Sequence, residues 1–311
     1  MPEAVMLACH AMRCRFEIVL YGDDSARLRA AGEEALSEIL ETEKLLSRFL
    51  PESDITRVNS QAHRVPVRVD PRTFAVLKHA AALSEETGGA FDPTIGPLMA
   101  CWGFRDASIS AAPSAAEIEG ALRLVGMNQV ELDEENLTVR FRRQGMSLDM
   151  GAFGKGVAVD RAVCILREVG VESAFIHGGT STAYGLGSPP NAEGWSVAVR
   201  HPLKPEEQLH AFTLRNRALS VSAPHGRTVV LNNRTYGHVL DPRSGRPVED
   251  ALMAAATAET ASEAEAFSTA ALILNGSSLA ELVSRRPGLE LLVVRRQNHP
   301  AKSTHIHIFK K

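Results

Sequence analysis

Between Trp195 and Leu240 the chain strings together five short strand-like segments with no helical periodicity among them: Trp195–Arg200, Gln208–Leu214, Ala218–Ser222, Thr228–Leu231 and Thr235–Leu240. Parallel strands need a long crossover, usually a helix, between them. So unbroken a run therefore excludes a doubly wound sheet for this half of the chain. Helical spacing is confined to separate blocks, and strands in runs with helices in blocks predict an α+β architecture of mixed sheets with packed helices.

The helical blocks carry their own boundaries. Leu28, Ala31, Ala35, Leu36, Ile39, Leu45 and Leu46 keep helical spacing from Ser25 to Leu46, with Asp24 or Ser25 as cap. Pro71 stands at a first-turn position ahead of Phe74, Leu77, Ala81 and Leu83, and Gly88-Gly89 ends that helix. Ser114 to Val125, Val157 to Val169 and Ala261 to Leu274 are three more, with Gly126, Gly170 and Gly276 as stops, and another helix begins near Leu279. The stretch from Pro51 through Ser53 and Asp54 to Asn59 reads as a polar loop. Strands are expected at Arg15–Tyr21, Val130–Leu132 paired with Leu137–Phe141, Ser173–His177, Ala251–Ala258, Leu289–Val294 and His305–Phe309. Asn232-Asn233 is a hairpin turn. His299, His305 and His307 suggest metal at first sight, but His305 and His307 alternate along one face of a terminal strand.

Composition removes several classes of function. The 311 residues carry 34 basic and 37 acidic side chains, a net charge of −3, which offers no basic field for nucleic acid or anionic membrane. Aromatics are 5%, too few for base-stacking platforms. The four cysteines, Cys9, Cys14, Cys101 and Cys164, form no CxxC pair, which removes zinc-ribbon and thioredoxin readings and suits a reducing compartment. No segment approaches the ~20 apolar residues of a membrane span. The opening Met1–Cys9 stretch has the outline of a lipoprotein cleavage site but no basic n-region, and its apolar part is too short for a signal core. A cytoplasmic location is expected.

Four segments carry chemistry. Gly88-Gly89-Ala90-Phe91-Asp92-Pro93-Thr94-Ile95-Gly96-Pro97-Leu98, followed by Trp102-Gly103-Phe104, is a rigid loop with one carboxylate. Asp149-Met150-Gly151-Ala152-Phe153-Gly154-Lys155-Gly156 leads into a helix, whose N-terminal N–H groups and Lys155 attract anions. It lacks the spacing of a Walker A loop. Tyr236-Gly237-His238-Val239-Leu240-Asp241-Pro242-Arg243-Ser244-Gly245 places a histidine at a strand-to-turn junction. Glu265 and Thr269, four apart, share a helix face about 6 Å apart and offer the oxygen donors that Mg²⁺ takes. Each segment alone is equally a turn, a cap or a solvated face.

In this order the four segments resemble the ApbE family of FAD:protein FMN transferases, from about Met12 to Val294. Ser47-Arg48-Phe49, Ser53-Asp54-Ile55, Asn59, Asp160 and Gly178-Gly179 belong to the same resemblance. It implies a single domain over residues 1–311 with a tunnelling-fold-like build and a flavin cleft between two lobes. It also implies that FAD is the substrate and that Mg²⁺ contacts its diphosphate. A Thr or Ser hydroxyl of a target protein attacks the FMN-side phosphorus and AMP leaves. The metal would be held by the carbonyl of Ala152 and the side chains of Glu265 and Thr269. FAD contacts would fall on Met12, Phe49, Asn59, Ala90, Phe91, Asp92, Asp149 and Lys155. His238 is the expected proton acceptor, with Asp92 and Asp149 as alternatives, and Lys155 completes the catalytic group.

These residue types suit phosphoryl-type transfer, which needs charge neutralisation and in-line placement more than a covalent nucleophile. The chain departs from the family pattern at four places. Glu265 stands where Asp is usual, Phe49 where Tyr is frequent, Met12-Arg13-Cys14 for Met-Gly-Thr, and Val221-Ser222-Ala223 for Thr-Ser-Gly. Two other readings of the same cleft are a hydrolase splitting FAD to FMN and AMP, and a non-enzymatic FAD-binding protein.

Overall fold

The computed structural model describes residues 3–105, 111–296 and 304–310. His299 lies outside the described residues. The chain opens on the hairpin β1 (Glu3–Ala11) and β2 (Cys14–Gly22), followed by α1 (Ser25–Leu46), whose Asp24 side chain accepts from Arg27 N. Then come α2 (Asp54–Gln61), β3 (Val67–Arg68), α3 (Pro71–Glu86), α4 (Gly96–Cys101), α5 (Ala115–Leu122), β4 (Val130–Asp133) and β5 (Thr138–Phe141). The second half runs α6 (Gly154–Glu168), β6 (Ser173–Gly178), β7 (Thr182–Leu186), β8 (Trp195–His201), β9 (Lys204–Leu214), β10 (Arg217–Ser222), β11 (Thr228–Leu231) and β12 (Arg234–Gly237). It closes with β13 (Ala251–Ala258), α7 (Ala261–Ile273), α8 (Gly276–Arg285), β14 (Glu290–Arg296) and β15 (Thr304–Phe309). The α+β expectation holds.

An eight-stranded antiparallel sheet, ordered β1-β2-β6-β7-β10-β13-β14-β15, forms the frame. Helices α1, α6 and α7 pack on one face. The β8–β9 ribbon lies on the other, where Val199, Phe212 and Leu214 meet Leu219, Met253 and Leu292. Strand β13 is buried along its whole length, which explains its sequence, Ala-Leu-Met-Ala-Ala-Ala-Thr-Ala. Ala254, Ala256 and Ala258 belong to the helix-side core, and Leu252, Met253 and Ala255 to the ribbon side. Small side chains there let α7 sit close to the sheet. The main core runs from Val5 to Val293 and also takes in Ile55 and Val58 of α2, Phe74 and Leu77 of α3, and Val139 of β5.

Four elements differ from expectation. Residues 3–11 form a full edge strand, and the 54–61 segment is a helix capped by Ser53, whose side chain accepts from Thr56 N. The glycine-rich stretch after Gly178-Gly179 becomes β7, buried on both faces, where alternation is lost. Gly276 opens α8 rather than closing α7, with Asn275 as cap accepting from Ser278 N.

The N-termini of α6 and α7 are positioned by their mutual contact. Asp160 of α6 accepts from Ala261 N at 2.6 Å and from Ser262 N at 2.9 Å, satisfying two orphan donors at the start of α7. A Cβ on Gly156 would lie 2.5 Å from the Ala261 carbonyl oxygen, so only glycine lets the helices meet there. Burial pushes the Asp160 carboxyl up to about 6, against the donors that hold its charged form. A carboxyl raised in the folded state favours folding most below its ordinary pKa and loses that contribution as pH rises to the folded value. Between pH 4 and 6 the wild type should therefore lose stability relative to Asp160→Asn, as read by paired thermal melts; parallel curves would refute the assignment.

Candidate active site

Because α7 starts against α6, Glu265, just beyond the first turn of α7, arrives at the N-terminus of α6. The residue is 3% exposed. Its Oε1 accepts from Lys155 Nζ at 2.6 Å and from Thr182 Oγ1 of β7 at 2.6 Å. Its Oε2 accepts from Gly156 N at 2.8 Å. Burial by itself would depress the Lys155 ammonium, but the adjacent Glu265 carboxylate outweighs it and holds the pKa above the usual lysine value. The lysine is therefore charged at neutral pH.

One turn further on, Thr269 Oγ1 lies 3.4 Å from Ser222 Oγ at the end of β10, and Ser222 Oγ is 2.8 Å from Ser268 Oγ. Ala152 sits in the turn that leads into α6. Carboxylate, hydroxyl and carbonyl are all oxygen donors, the set that Mg²⁺ takes. Thr269 is only weakly engaged, and Glu265 Oε2 meets one protein donor. These residues fit a hard divalent ion. Among the described residues no three His, Cys, Asp or Glu gather as a metal-binding group, at this site or another.

The loop ahead of α6 is tied down at several points. Asn59 clamps Leu148, with Nδ2 donating to Leu148 O at 3.0 Å and Oδ1 accepting from Leu148 N at 2.7 Å. Asp149 N donates to Pro93 O at 2.7 Å. The Asp149 carboxylate accepts from Gly151 N at 3.0 Å and from Arg48 Nε at 3.1 Å. Arg48 lies over the Phe49 ring, 4.2 Å from its centroid, and Arg13 approaches the same ring at 5.6 Å. Phe49 is 58% exposed, an aromatic face open to solvent beside two cations. Met12 and Arg13 turn the β1–β2 hairpin with φ of 50° and 62°, and Met12 N donates to Glu43 Oε1 at 2.7 Å. Cys14 follows them; burial pushes its thiol up, with Lys155 opposing and Glu265 adding to the shift.

His238 follows β12. Its Nδ1 lies 3.1 Å from Pro224 O and 3.2 Å from Arg227 O, both acceptors, so Nδ1 carries the proton and Nε2 is left as the acceptor. Burial lowers its pKa from the ordinary value, and Asp149 opposes that shift.

Asp92 faces a different task. Its Oδ1 accepts from Thr94 N and Thr94 Oγ1, and its Oδ2 from Met127 N and Ser84 Oγ. Burial raises its pKa against those bonds. Ala90 and Phe91 are 1% and 2% exposed, and Phe91 packs on Phe153 with ring centroids 5.5 Å apart. Asp92, Phe91 and Asn59 thus act here as anchors of the loops around Lys155. Sequence reasoning passed over Thr182, which follows the Gly178-Gly179 pair, and Arg48, which lies inside a quoted segment; it read the N–H groups opening α6 as attracting anions, and that of Gly156 meets Glu265.

The ApbE family model matches residues 12–293. The FAD:protein FMN transferase of Klebsiella pneumoniae is 31% identical over 245 residues, covering 76% of this chain and 74% of that protein. That of Salmonella typhimurium is 25% identical over 310 residues, covering 97% and 87%. Among solved structures, the ApbE protein of Thermotoga maritima superposes with a TM-score of 0.86 at 28% identity, covering 99% of this chain and 97% of that one. The flavin transferase ApbE of Vibrio cholerae shares the fold, with a TM-score of 0.84 at 21% identity over 99% of this chain and 98% of its own.

Removing one member of a buried ion pair strands the other. Lys155→Met should cost about 3 kcal/mol of stability by urea denaturation. Lys155→Met combined with Glu265→Gln should recover most of that loss, since no bare charge remains. Equal losses in single and double variants would show that the pair is not coupled.

Proposed function

Because the chain belongs to the ApbE family, we propose that it transfers the FMN moiety of FAD to a hydroxyl of an acceptor protein and releases AMP. The relatives named FAD:protein FMN transferase support an enzyme of this class. The observation that carries the reading is the convergence of Lys155, the start of α6 and Glu265 beside the Arg48–Asp149 loop, an anion-attracting site with an oxygen-rich rear wall.

In this reading Lys155, at the positive end of the α6 dipole, neutralises the FAD diphosphate. Phe49, with Arg48 and Arg13 over it, offers a flat face to an aromatic ring of the dinucleotide. Met12, Asn59, Ala90, Phe91, Asp92 and Asp149 line or brace the same cleft. The acceptor oxygen bonds to the FMN-side phosphorus while the bond from that phosphorus to the oxygen of AMP breaks. His238 Nε2 takes the hydroxyl proton, held to this role by the two carbonyls on Nδ1. Asp92 serves as a loop anchor rather than as the base, because each of its oxygens already accepts two bonds. A divalent ion, Mg²⁺ by its donor set, would be held by Ala152 O, Glu265 and Thr269 and would supply further charge neutralisation on the phosphates. The chain is proposed as one domain whose lobes flank this cleft. The cytoplasm is the proposed compartment; the four cysteines are free, and among the described residues no helix is long and apolar enough to cross a membrane.

Incubation with FAD, Mg²⁺ and an acceptor protein should give a fluorescent acceptor and an equal amount of AMP, and a chelator should stop both. Fast AMP release with no acceptor present would instead favour FAD hydrolysis. His238→Asn should lower kcat about 100-fold or more while FAD binding changes little. Since burial lowers the His238 pKa, the acid limb of kcat/KM should have its midpoint below about 6.5 and vanish in the variant. A limb that persists unchanged would assign the base elsewhere.

A further inference from the structure

The Trp102-Gly103-Phe104 segment takes no part in the chemistry proposed above, yet its contacts converge on the stretch that carries His238. Behind the histidine, Trp102 Nε1 donates to Gly245 O at 2.8 Å. Ahead of it, the Arg227 guanidinium donates to Phe104 O. Trp102 also packs on Tyr236 with ring centroids 5.0 Å apart. Phe104 is buried in one cluster with Leu98, Leu231 and Leu240, so its carbonyl is a fixed point. Gly103 turns the backbone between the two aromatic residues with φ of 73°, a conformation that glycine adopts without strain. The chain on both sides of His238 is thus tied to one short, buried segment.

These ties matter because, among the described residues, β11 and β12 pair only with each other and not with the large sheet. His238 follows β12, and its main-chain N donates to Arg227 O at 3.0 Å and to Pro224 O at 3.2 Å. The same two carbonyls face its Nδ1, at 3.2 Å and 3.1 Å. Both belong to the 224–227 turn, which lies against the hairpin because Gly237 has no Cβ to strike Pro224 O. A neutral imidazole carries one proton, and the acceptors around the ring decide which nitrogen holds it. With the turn displaced, these two carbonyls would no longer keep the proton on Nδ1 and leave Nε2 bare. The Arg227 side chain, on Phe104 O, holds that turn from outside the hairpin. Burial keeps a second proton off the ring and the Arg227 charge adds to this, while Asp149 opposes it.

We propose that Arg227 is a positioning residue for His238: by pinning the 224–227 turn to Phe104 O, it keeps two carbonyls on Nδ1 and so leaves Nε2 as the acceptor of the ring. This rests on the transferase reading above, in which Nε2 takes the hydroxyl proton, and adds the residue that sets which nitrogen is available. Arg227 acts through the histidine rather than on the substrate. An arginine that bound the diphosphate directly would act on FAD affinity instead, and experiment separates the two roles.

The test uses the full chain with isotopically labelled histidine nitrogens, read by NMR well above the ordinary histidine pKa of about 6.5. The His238 signals are assigned by their loss in His238→Asn. In the wild type, Nδ1 should show the shift of a protonated nitrogen and Nε2 that of a bare one. In Arg227→Met the two shifts should move toward each other as the tautomers mix. Its kcat, measured with a protein substrate of one of the curated transferase relatives, should fall about tenfold or more, with FAD affinity held within about twofold. Arg227→Lys keeps a donor and the charge, and should restore the wild-type spectrum and most of kcat. Added to His238→Asn, Arg227→Met should cost no further activity, because a residue that acts through another then has nothing to act on. An unchanged His238 spectrum in Arg227→Met, a comparable loss of FAD affinity, or a further fall in kcat on the His238→Asn background would each overturn the proposal. Mixed tautomers with kcat unchanged would uphold the tie and defeat His238 as the base.

Discussion

The site depends on one buried carboxylate. Glu265 receives an ammonium from α6, a hydroxyl from β7 and a main-chain N–H from the first turn of α6. Burying such a charge is costly unless every partner is in place. The partners come from residues 155, 156 and 182, far from 265 in sequence, so the charge is tolerated only in the assembled fold. Asp160 and Gly156 make that assembly possible, the first by capping α7 and the second by having no Cβ to strike Ala261. Two helices and the sheet thus meet at the N-terminus of α6, where Lys155 and Gly156 hold Glu265.

The same crowding explains the sheet. Strand β13 lies under α7 on one side and near the ribbon on the other, and its alanines reflect the space that remains. Small residues bring the end of α7 that bears Glu265 and Thr269 down onto β10, where Ser222 meets Thr269. On the far face the β8–β9 ribbon covers the core. Strand β13 is buried on both faces, and polar side chains of the site stand at the ends of nearby strands, as at Thr182 of β7 and Ser222 of β10.

Much of this was legible in the sequence because it is local. The 25–46 helix declares itself by spacing and an Asp cap, and the Asn232-Asn233 turn by residues that tolerate the positive φ they adopt, 50° and 58°. Strand β13 was visible as an apolar run of strand length. Less legible was whatever tertiary context decided. Strand β7 contains glycine and has no polar face, since it is covered on both sides. The 54–61 segment is polar in composition, and only Ile55 and Val58, set against the main core, make it a helix. Gly276 carried the signal of a stop, yet Asn275 beside it caps the next helix instead. At the site, the Glu265/Thr269 spacing was readable, but Lys155 as the partner of Glu265 was not, because nothing local joins residues 110 positions apart. Asn59 and Asp92, which stand among the expected FAD contacts, also hold backbone, a role that residue type alone does not announce.

Glu265 also shows what one methylene does. The family usually has Asp at this position, and the longer arm moves the carboxylate about 1.5 Å further from the helix. That reach lets Oε1 meet both Lys155 and Thr182 while Oε2 meets Gly156 N. Without ligand, then, the lysine neutralises the carboxylate and the pair is satisfied within the protein. In the proposed reading, a diphosphate that draws Lys155 toward itself takes the counter-ion from a residue that is 3% exposed. The uncovered carboxylate then favours any cation that arrives with the ligand, and a cation on the carboxylate in turn frees Lys155 for phosphate. By reciprocity of linked equilibria each binding event must strengthen the other by the same factor. Under that reading the coupling is set by how firmly Glu265 holds Lys155, at 2.6 Å.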